Sequence, residues 1–259
     1  MRHVDSAFVY AAGYGTRLRP YTLTRPKPLL DLYGRPLLAY VLAGLARAGV
    51  TRATVNAAHL ADAFGDVPDL GRALGIEVAL SVQDRPLMHG GDLAFAVPFL
   101  ASMGRDEVFL AVNGDTVVEY DAGALHARAS ELDDRAPVLM LGAPAPGGPL
   151  RAGADGLLQG IGDVDYPVDG GPEERWEDFG MRLMHASIAS LLPPPGGEMS
   201  LHGAGGLLGR AYAAGRVARV APAPVVERAE IGTVQAFESR EGNTAMRALA
   251  ERLIPPAGR

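Results

Sequence analysis

The chain has 259 residues, of which 48% are hydrophobic and 21% are charged, and its formal net charge is −6. This composition is typical of a soluble globular protein of one large domain or two small ones, and it lacks the positive charge that nucleic-acid-binding proteins usually carry. The absence of cysteine excludes disulfides, cysteine–zinc sites and thiol catalysis.

Two further observations bear on where the protein works. No window approaches the ~18–20 consecutive apolar residues of a membrane-spanning helix, and residues 1–9 lack the long apolar stretch of a signal peptide. We therefore expect a cytoplasmic protein with no membrane partner and no nucleic-acid partner. The sequence leaves open whether the chain forms a homo-oligomer.

The first half of the sequence alternates predicted strands and helices. Apolar runs predict strands over residues 8–12, 54–57, 77–82, 108–112 and 137–141. Helical patterns are found over residues 36–48, 92–101 and 122–130, and Pro36 and Gly49 delimit the first of these helices. Such alternation is typical of a mainly parallel sheet covered on both faces, so we predict an α/β fold.

The second half is less regular. Proline and glycine predict loops over residues 142–153 and 193–197, and Asp155-Gly156 predicts a hairpin turn. Strands are predicted over residues 182–185, 217–221 and 225–227. Helices are predicted over residues 200–214, with Ser200 as the cap, and over most of residues 233–252. Because there is no internal repeat and no clean linker, we predict a single domain over residues 1–259.

Two motifs follow predicted strands directly. Gly13-Tyr14-Gly15-Thr16-Arg17 follows the first strand, and Asn113-Gly114-Asp115 follows the strand that begins at Val108. In parallel sheets, ligands bind outside the carboxyl ends of the strands. We therefore expect the two motifs to face one crevice.

A glycine loop after a strand brings backbone N–H groups close to phosphates, because no side chains intervene. The loop is not a dinucleotide-binding fingerprint, since Leu18 stands where that motif needs its third glycine, and it is not a Walker loop, since Gly-Lys-Ser/Thr is absent. The alternative is an ordinary strand-to-helix turn. A phosphate-binding loop is favoured because four cations lie within the following segment: Arg17, Arg19, Arg25 and Lys27.

Lys27 stands out among these cations. It is the only lysine among the 24 lysines and arginines of the chain. A solvated surface charge would accept arginine freely, whereas a compact ammonium on a flexible stem has properties that a planar guanidinium lacks. Chance could also leave one lysine anywhere, but its position beside the glycine loop favours a chemical requirement.

Asp115 is the candidate metal ligand. A carboxylate at the end of a buried strand, near cations that bind polyphosphate, is well placed to hold Mg²⁺, which prefers oxygen ligands and often takes one or two carboxylates together with phosphates and water. The alternative is a simple turn, because Asn-Gly-Asp is a good turn sequence by itself.

The sequence around the glycine loop resembles the signature of the sugar-1-phosphate nucleotidyltransferases. Residues 11–20 read Ala-Ala-Gly-Tyr-Gly-Thr-Arg-Leu-Arg-Pro, and residues 22–29 end in Pro26-Lys27-Pro28-Leu29. The resemblance continues over most of the chain, through Gly34-Arg35-Pro36-Leu37, Tyr40, Val55-Asn56, Gln83, Asn113-Gly114-Asp115 and Ile231-Gly232-Thr233. The chain looks closest to short bacterial members that act on N-acetylmuramate, mannose or heptose 1-phosphates.

This resemblance implies a Rossmann-like three-layer α/β fold with a mixed, mainly parallel central sheet, in which residues 1–141 bind the nucleotide and residues 142–259 bind the sugar. It also implies an Mg²⁺-dependent enzyme that transfers a nucleoside monophosphate from an NTP to a sugar 1-phosphate and releases pyrophosphate. Arg17 would bind the β- and γ-phosphates, and Lys27 would contact the α-phosphate and the incoming sugar phosphate.

The remaining site residues follow from the same resemblance. The implied nucleotide-binding residues are Ala11, Ala12, Gly13, Gly15, Thr16, Gln83 and Gly90. The implied sugar-binding residues are Asn113, Asp178 and Gly180. The implied metal ligands are Asp115 and Glu230, where Glu230 is one methylene longer than the aspartate that the family usually has there.

Several positions depart from the family pattern. His89, in the run Leu87-Met88-His89-Gly90-Gly91-Asp92, either contacts substrate or is a partly exposed loop histidine without a role. Asp178 either binds a sugar hydroxyl or caps a local turn, and Glu230 either binds metal or is an exposed glutamate at the start of a helix. Arg228 replaces a common tryptophan.

These departures leave two alternative functions open. One is a non-catalytic relative that binds a nucleotide sugar and regulates a partner, which Glu230, His89 and Asp92 motivate. The other is a nucleotidyltransferase that acts on a non-sugar phosphate such as phosphocholine. The preserved Arg17, Lys27 and Asp115 favour an active enzyme.

Overall fold

The computed structural model describes residues 2–104, 107–169 and 171–255. Its strands are β1 (Ser6–Tyr10), β2 (Asp31–Leu32), β3 (Arg35–Pro36), β4 (Arg52–Ala57), β5 (Glu77–Val82), β6 (Val108–Asn113), β7 (Thr116–Tyr120), β8 (Val138–Pro144), β9 (Leu150–Gly153), β10 (Leu158–Ile161), β11 (Val164–Asp165), β12 (Glu173–His185), β13 (Ala218–Pro222) and β14 (Val225–Glu230). Its α-helices are α1 (Leu37–Arg47), α2 (Val67–Ala73), α3 (Met88–Phe95), α4 (Val97–Ala101), α5 (Ala122–Ala129), α6 (Leu207–Ala213), α7 (Val234–Glu238) and α8 (Thr244–Leu253).

The chain forms two compact units from interleaved segments. The glycine-loop unit comprises Asp5–Pro86, Val112–Ala122 and the chain from Val225 onward. The β12 unit comprises Leu87–Ala111, Gly123–Pro224 and the residues before Asp5. Neither unit is a continuous half of the sequence, because the chain passes between them repeatedly, once within β6. The single-domain interpretation stays a prediction.

Parallel pairing defines the sheet of the glycine-loop unit. β1 pairs with β4, with Ser6 opposite Arg52, and β4 pairs with β5 in the same direction. In β1, every residue except Tyr10 is buried, as expected for a parallel strand covered on both faces. Outside this sheet, β7 and β14 form an antiparallel pair.

Helix α1 packs directly on that antiparallel pair. A Cβ atom added at Gly44 would collide with the backbone oxygen of Val118, so only glycine allows this approach of helix to strand. Around this contact lies an apolar core that joins the segment after the glycine loop to the C-terminal helices. Its fully buried members include Leu18, Leu32 and Leu249.

Antiparallel pairing predominates in the β12 unit. β12 pairs with β8 and with β9, β10 lies between β9 and β11, and β13 adds to β8 in parallel. A bulge interrupts β12 between Asp178 and Met181, where Gly180 has a φ of 68°. With the parallel strands of the other unit, this confirms the predicted α/β class and its mixed sheet.

Three predicted elements of the β12 unit were wrong in their bounds. The helix expected over residues 92–101 is two helices, because α3 ends at Phe95 and Pro98 near the start of α4 has no N–H to continue it. The helix expected from Ser200 begins only at Leu207. The strand expected over residues 182–185 is the last part of β12, which begins at Glu173.

The loop expected over residues 142–153 was also wrong. β8 continues to Pro144, and β9 covers Leu150–Gly153. Gly142 pairs with Asp178 of β12, and a Cβ there would collide with the backbone oxygen of Glu177. Glycine here marks a close approach of two strands rather than a turn.

The helical structure predicted over most of residues 233–252 is confirmed, but it is divided into two helices. α7 begins after Thr233, whose hydroxyl accepts a hydrogen bond from the Ala236 N–H at 3.2 Å. A 3₁₀ turn over Ser239–Gly242 then separates α7 from α8. Within the described ranges, no helix combines the length and apolarity that crossing a membrane requires.

In the glycine-loop unit, truncating a buried leucine should destabilise the protein more than truncating an exposed one. Leu249 is fully buried in α8, so Leu249→Ala should lower the free energy of unfolding by about 2–5 kcal/mol through lost burial and a cavity. Leu23 is 56% exposed, so Leu23→Ala should change the free energy of unfolding by less than about 0.5 kcal/mol. Denaturant unfolding of both variants checks this, and equal effects would contradict the described core.

Candidate active site

The two motifs that follow strands meet within the glycine-loop unit. The Gly114 N–H donates a hydrogen bond to the Tyr10 carbonyl oxygen at 2.9 Å. A Cβ atom at Gly114 would lie 3.0 Å from the same oxygen, so a side chain here would press on the end of β1. The Asn113-Gly114-Asp115 turn therefore packs against the strand that leads into the glycine loop.

Asn56 fixes the start of the glycine loop. Its side chain is fully buried on β4, and its Oδ1 accepts hydrogen bonds from the N–H groups of Ala11 at 2.6 Å and Ala12 at 3.2 Å. Two backbone donors that have just left the β1 ladder are thereby satisfied. The neighbouring strand thus holds the loop in place before any ligand binds.

The two glycines of the loop have different surroundings. Gly15 has a φ of 61°, and a Cβ there would lie 2.8 Å from Cγ2 of Thr22. The Thr22 hydroxyl also donates to the Gly15 carbonyl oxygen at 2.9 Å, which closes the loop onto the following segment. A Cβ at Gly13 would meet no atom within 4 Å, so Gly13 leaves backbone open to a ligand.

A cavity of about 230 Å³ lies against this loop. Most residues that the sequence assigned to the nucleotide and the metal line it together: Ala11, Gly13, Gly15, Thr16, Arg17, Lys27 and Asp115. Asn113, which the sequence assigned to the sugar, also lines it. The structure thus brings one glycine loop, two cations and one carboxylate to a single concave surface, which is the composition of a polyphosphate site.

Lys27 and Asp115 form an ion pair in this cavity. The Lys27 Nζ donates to Oδ2 of Asp115, and the side chains are only 10% and 19% exposed. The other carboxylate oxygen of Asp115, Oδ1, accepts a longer hydrogen bond of 3.3 Å from the Thr116 hydroxyl. The single lysine is therefore a partly buried cation with a defined partner and not a solvated surface charge.

Arg17 and Glu230 both approach Gly232. A Cβ at Gly232 would lie 3.7 Å from Nη1 of Arg17 and 2.9 Å from Oε1 of Glu230. Gly232 lines the cavity, whereas Glu230 is not among its lining residues. Oε2 of Glu230 lies 4.0 Å from Nη1 of Arg228. In the β7–β14 pair, Glu230 is opposite Thr116, which follows Asp115 in sequence. Both predicted metal ligands thus lie on one side of this unit.

Ala12 and Gln83 belong to the same unit but not to the lining of the cavity. Ala12 is buried, and its N–H donates to Oδ1 of Asn56. Gln83 is buried directly after β5, and its Nε2 donates to the Arg85 carbonyl oxygen at 2.9 Å. The nucleotide-binding role expected for Gln83 stays a prediction.

Gly90 and its neighbourhood lie in the β12 unit. The N–H groups of Gly90 and Gly91 both donate to the Met199 carbonyl oxygen, at 2.8 and 3.2 Å. A Cβ at Gly90 would lie 2.7 Å from the Met199 side chain, so glycine is needed for this packing. These amides serve the fold of the unit, and contact of Gly90 with a base stays a prediction.

His89 was expected in a loop, and that expectation was wrong. It lies in the first turn of α3 and is partly buried. Burial, followed by the positive charge of Arg182, lowers the pKa of His89 to about 4, against an opposing effect of Asp178. Its imidazole is therefore neutral at pH 7.

Asp178 uses both carboxylate oxygens within its own unit. Oδ1 accepts a hydrogen bond from the Gly180 N–H at 2.8 Å, which stabilises the β12 bulge, and Oδ2 accepts one from Nη2 of Arg182 at 2.9 Å. These bonds agree with the alternative of a local capping role. Sugar binding by Asp178 and Gly180 stays a prediction.

The sequence interpretation gave no role to Asn56. The signal was present, because an asparagine inside the apolar run Val55-Asn56-Ala57 must find partners if the strand is buried. Which partners it finds depends on the register of β1 and β4, and that register is not visible in one sequence.

Comparison with known proteins gives consistent results. The family model described as Nucleotidyl transferase matches residues 6–146. N-acetylmuramate alpha-1-phosphate uridylyltransferase of Neisseria meningitidis serogroup B is 33% identical over 201 residues, which cover 74% of this chain and 84% of the relative. Mannose-1-phosphate guanyltransferase beta-B of Xenopus laevis is 34% identical over 115 residues, and these cover 44% of this chain but only 31% of that relative.

A solved structure extends the likeness at low identity. HddC from Yersinia pseudotuberculosis, in complex with GMP-PN, matches with a TM-score of 0.69 and 21% identity over 92% of this chain and 99% of that chain. At this identity the match concerns the fold alone. It confirms the predicted Rossmann-like fold with a mixed central sheet.

Alanine should affect stability differently at the two glycines of the loop. Gly15→Ala should lower the free energy of unfolding by about 1–3 kcal/mol, because alanine is strained at positive φ and its methyl group would press on Thr22. Gly13→Ala should change the free energy of unfolding by less than about 0.5 kcal/mol, since the methyl group of the alanine would meet open space. Thermal or denaturant unfolding compares the two, and a larger loss in the Gly13 variant would refute this geometry.

Proposed function

Because the chain belongs to the nucleotidyl transferase family of enzymes, we propose that it transfers a nucleoside monophosphate from an NTP to a sugar 1-phosphate and releases pyrophosphate. One observation carries the proposal. The open backbone of Gly13, the guanidinium of Arg17, the ammonium of Lys27 and the carboxylate of Asp115 line the same cavity. A triphosphate needs donors, positive charge and a metal-bearing carboxylate together, and this cavity offers them.

The reaction can be written with this chain's residues in defined roles. A phosphate oxygen of the sugar 1-phosphate attacks the α-phosphorus of the NTP, and the bond from that phosphorus to the oxygen bridging to the β-phosphate breaks. Lys27 offsets charge on the α-phosphate and the attacking phosphate, and Arg17 offsets charge on the departing pyrophosphate. Catalysis then rests mainly on positioning and charge neutralisation.

The glycine loop supplies the nucleotide's phosphate contacts. Gly13 has no neighbouring atom where a side chain would be, so phosphate oxygens can approach its backbone. Ala11, Gly15 and Thr16 line the same cavity, and the N–H groups of Ala11 and Ala12 donate to Oδ1 of Asn56. We assign nucleotide binding to these residues, with Gln83 and Gly90 as the candidate contacts to the base.

Asp115 fits the donor set that Mg²⁺ requires. It offers carboxylate oxygens at the cavity, one of which has only a long hydrogen bond from Thr116. Mg²⁺ often takes one or two carboxylates and completes its octahedron with substrate phosphates and water. Bound there, Mg²⁺ would supply charge neutralisation and orientation of the phosphates. Glu230 is the candidate second carboxylate.

The acceptor and the base are proposed from the relatives. The Neisseria relative is named for uridylyl transfer to N-acetylmuramate α-1-phosphate, so UTP with that acceptor is the first pair to test. Asn113 lines the cavity, and it is proposed to contact the acceptor there. Asp178 and Gly180 of the β12 unit are the other proposed sugar-binding residues.

Pyrophosphate release tests the function directly. The intact chain is incubated with Mg²⁺ and each combination of an NTP with a sugar 1-phosphate, phosphocholine or inositol 1-phosphate. Turnover with a sugar 1-phosphate supports the proposal. Turnover with the non-sugar phosphates alone would change the acceptor class, and nucleotide-sugar binding without turnover would favour a regulatory protein.

Lys27→Arg should keep the fold but lower kcat by about 10²- to 10³-fold. Arginine preserves the charge and can still pair with Asp115, but its planar, larger head group cannot take the place of a buried ammonium. The matched control is Arg72→Lys on the exposed surface of α2, which should leave kcat unchanged. Comparable kcat values for the Lys27 variant and the unmodified chain would remove the argument from the single lysine.

Asp115→Asn should abolish Mg²⁺-dependent turnover and weaken binding of the divalent ion itself. The amide keeps the size of the side chain but loses the negative charge that both Lys27 and a cation require. Binding of Mn²⁺ in the presence of NTP, followed by electron paramagnetic resonance, gives a readout independent of turnover. Asp69→Asn, which removes an exposed carboxylate, is the control. Normal Mn²⁺ binding in the Asp115 variant would place the metal site elsewhere.

A further inference from the structure

Lys27 occupies the carboxylate that is proposed to hold the metal. Its Nζ donates to Oδ2 of Asp115, while Oδ1 accepts the hydrogen bond of 3.3 Å from the Thr116 hydroxyl. A divalent cation binds a carboxylate through the same oxygen lone pairs and the same negative charge. Lys27 and a metal ion are therefore competitors for Asp115.

The confined position of the pair makes this competition strong. The side chains of Lys27 and Asp115 are 10% and 19% exposed, so water can replace a lost partner only in part. A metal ion that displaced the ammonium would leave it unpaired, and one that bound beside it would bring two positive charges together. Both arrangements are unfavourable, so Asp115 should bind a divalent cation weakly as long as Lys27 faces it.

The candidate second carboxylate also has a cation beside it. Oε2 of Glu230 lies 4.0 Å from Nη1 of Arg228. At that distance the positive charge of the arginine reduces the attraction of the carboxylate for a metal ion. Each of the two proposed metal ligands is thus accompanied by a cation of this chain.

A phosphate would offer the ammonium of Lys27 another partner. Lys27 lines the cavity together with Arg17 and the open backbone of Gly13, where we place the phosphates of the nucleotide. A phosphate oxygen is an ionised acceptor, and hydrogen bonds between charged groups are roughly twice as strong as those between neutral ones. Once a phosphate accepts the ammonium, Asp115 regains an oxygen and its negative charge for the metal.

We propose that Lys27 is an electrostatic switch that closes Asp115 to divalent cations until a phosphate of the nucleotide accepts its ammonium. This inference rests on the proposed function and concerns the regulation of the same site. Nucleotide and metal then bind with positive linkage, in which each raises the affinity of the chain for the other by the same factor. The chain without nucleotide is thereby protected from occupation by free divalent ions.

Mn²⁺ titration of the full chain, followed by electron paramagnetic resonance in a buffer without phosphate or nucleotide, tests the switch. We expect weak binding to the unmodified chain. Binding to Lys27→Met should be tighter by about tenfold or more, because the neutral side chain leaves Asp115 unpaired. Lys27→Arg, which can keep the pair, should bind as weakly as the unmodified chain. If Lys27 merely supported the shape of the metal site, Lys27→Met would lose affinity instead of gaining it.

Two controls locate the gain in affinity. The double variant Lys27→Met/Asp115→Asn should return to weak Mn²⁺ binding. Arg72→Met removes the cation from the exposed pair with Asp69 and should leave Mn²⁺ affinity unchanged, because water already solvates that carboxylate. If Lys27→Met does not fold, as judged by circular dichroism, Lys27→Gln takes its place, since its amide is uncharged and keeps a polar end.

The linkage itself is measured on the unmodified chain. The 5′-monophosphates of adenosine, cytidine, guanosine, thymidine and uridine are titrated by calorimetry with and without Mn²⁺. The one that binds most tightly should bind about tenfold or more tighter with Mn²⁺, and Lys27→Met should reduce this factor. Failure of every nucleotide to bind would contradict the proposed function, whereas the nucleotide-free comparison would still decide the switch.

Three results overturn the switch. One is Mn²⁺ binding to the unmodified chain, without nucleotide, that is as tight as binding to Lys27→Met. Another is a gain in affinity that persists in the double variant, because the ion would then bind away from Asp115. The third is a nucleotide that binds with the same affinity whether or not Mn²⁺ is present.

Discussion

The glycine-loop unit is organised around one partly buried ion pair. Lys27 and Asp115 are 88 positions apart in sequence, and their contact joins the segment after the glycine loop to the end of β6. Removing either charge would leave the other without its partner in a confined space, which is costly. The rest of the candidate site follows this constraint, because Gly15 packs against Lys27 and Gly114 packs against β1 beside Asp115.

Much of this site could be predicted because its residues are chemically distinctive. The glycines, the single lysine and Asp115 follow strands whose apolar runs are clear, and strand ends gather at one edge of a parallel sheet. The supporting residues were harder to predict. Asn56 acts through register with β1, and Gly232 acts by leaving room for Arg17 and Glu230, so neither role can be recognised without the pairing of strands.

The β12 unit resisted prediction for a different reason. The first part of β12, from Glu173 to Asp178, is mostly polar and has no apolar alternation, so only pairing with β8 and β9 makes it a strand. Proline and glycine around Gly142 suggested a loop, although the glycine permits two strands to approach closely. The partnership of Asp178 with Arg182 depends on the bulge at Gly180, which no local pattern indicates.

Interleaving of the two units limits how the chain can be dissected genetically. A clone that stopped after residue 141 would contain β7 but lack β14, its antiparallel partner, together with the C-terminal helices that close the core around Leu18. A clone of the remainder would lack residues 138–141 of β8, which pair with residues 181–184 of β12. Truncation and domain exchange at the midpoint would therefore report on broken sheets, and point substitutions are the appropriate way to separate the two sets of functions.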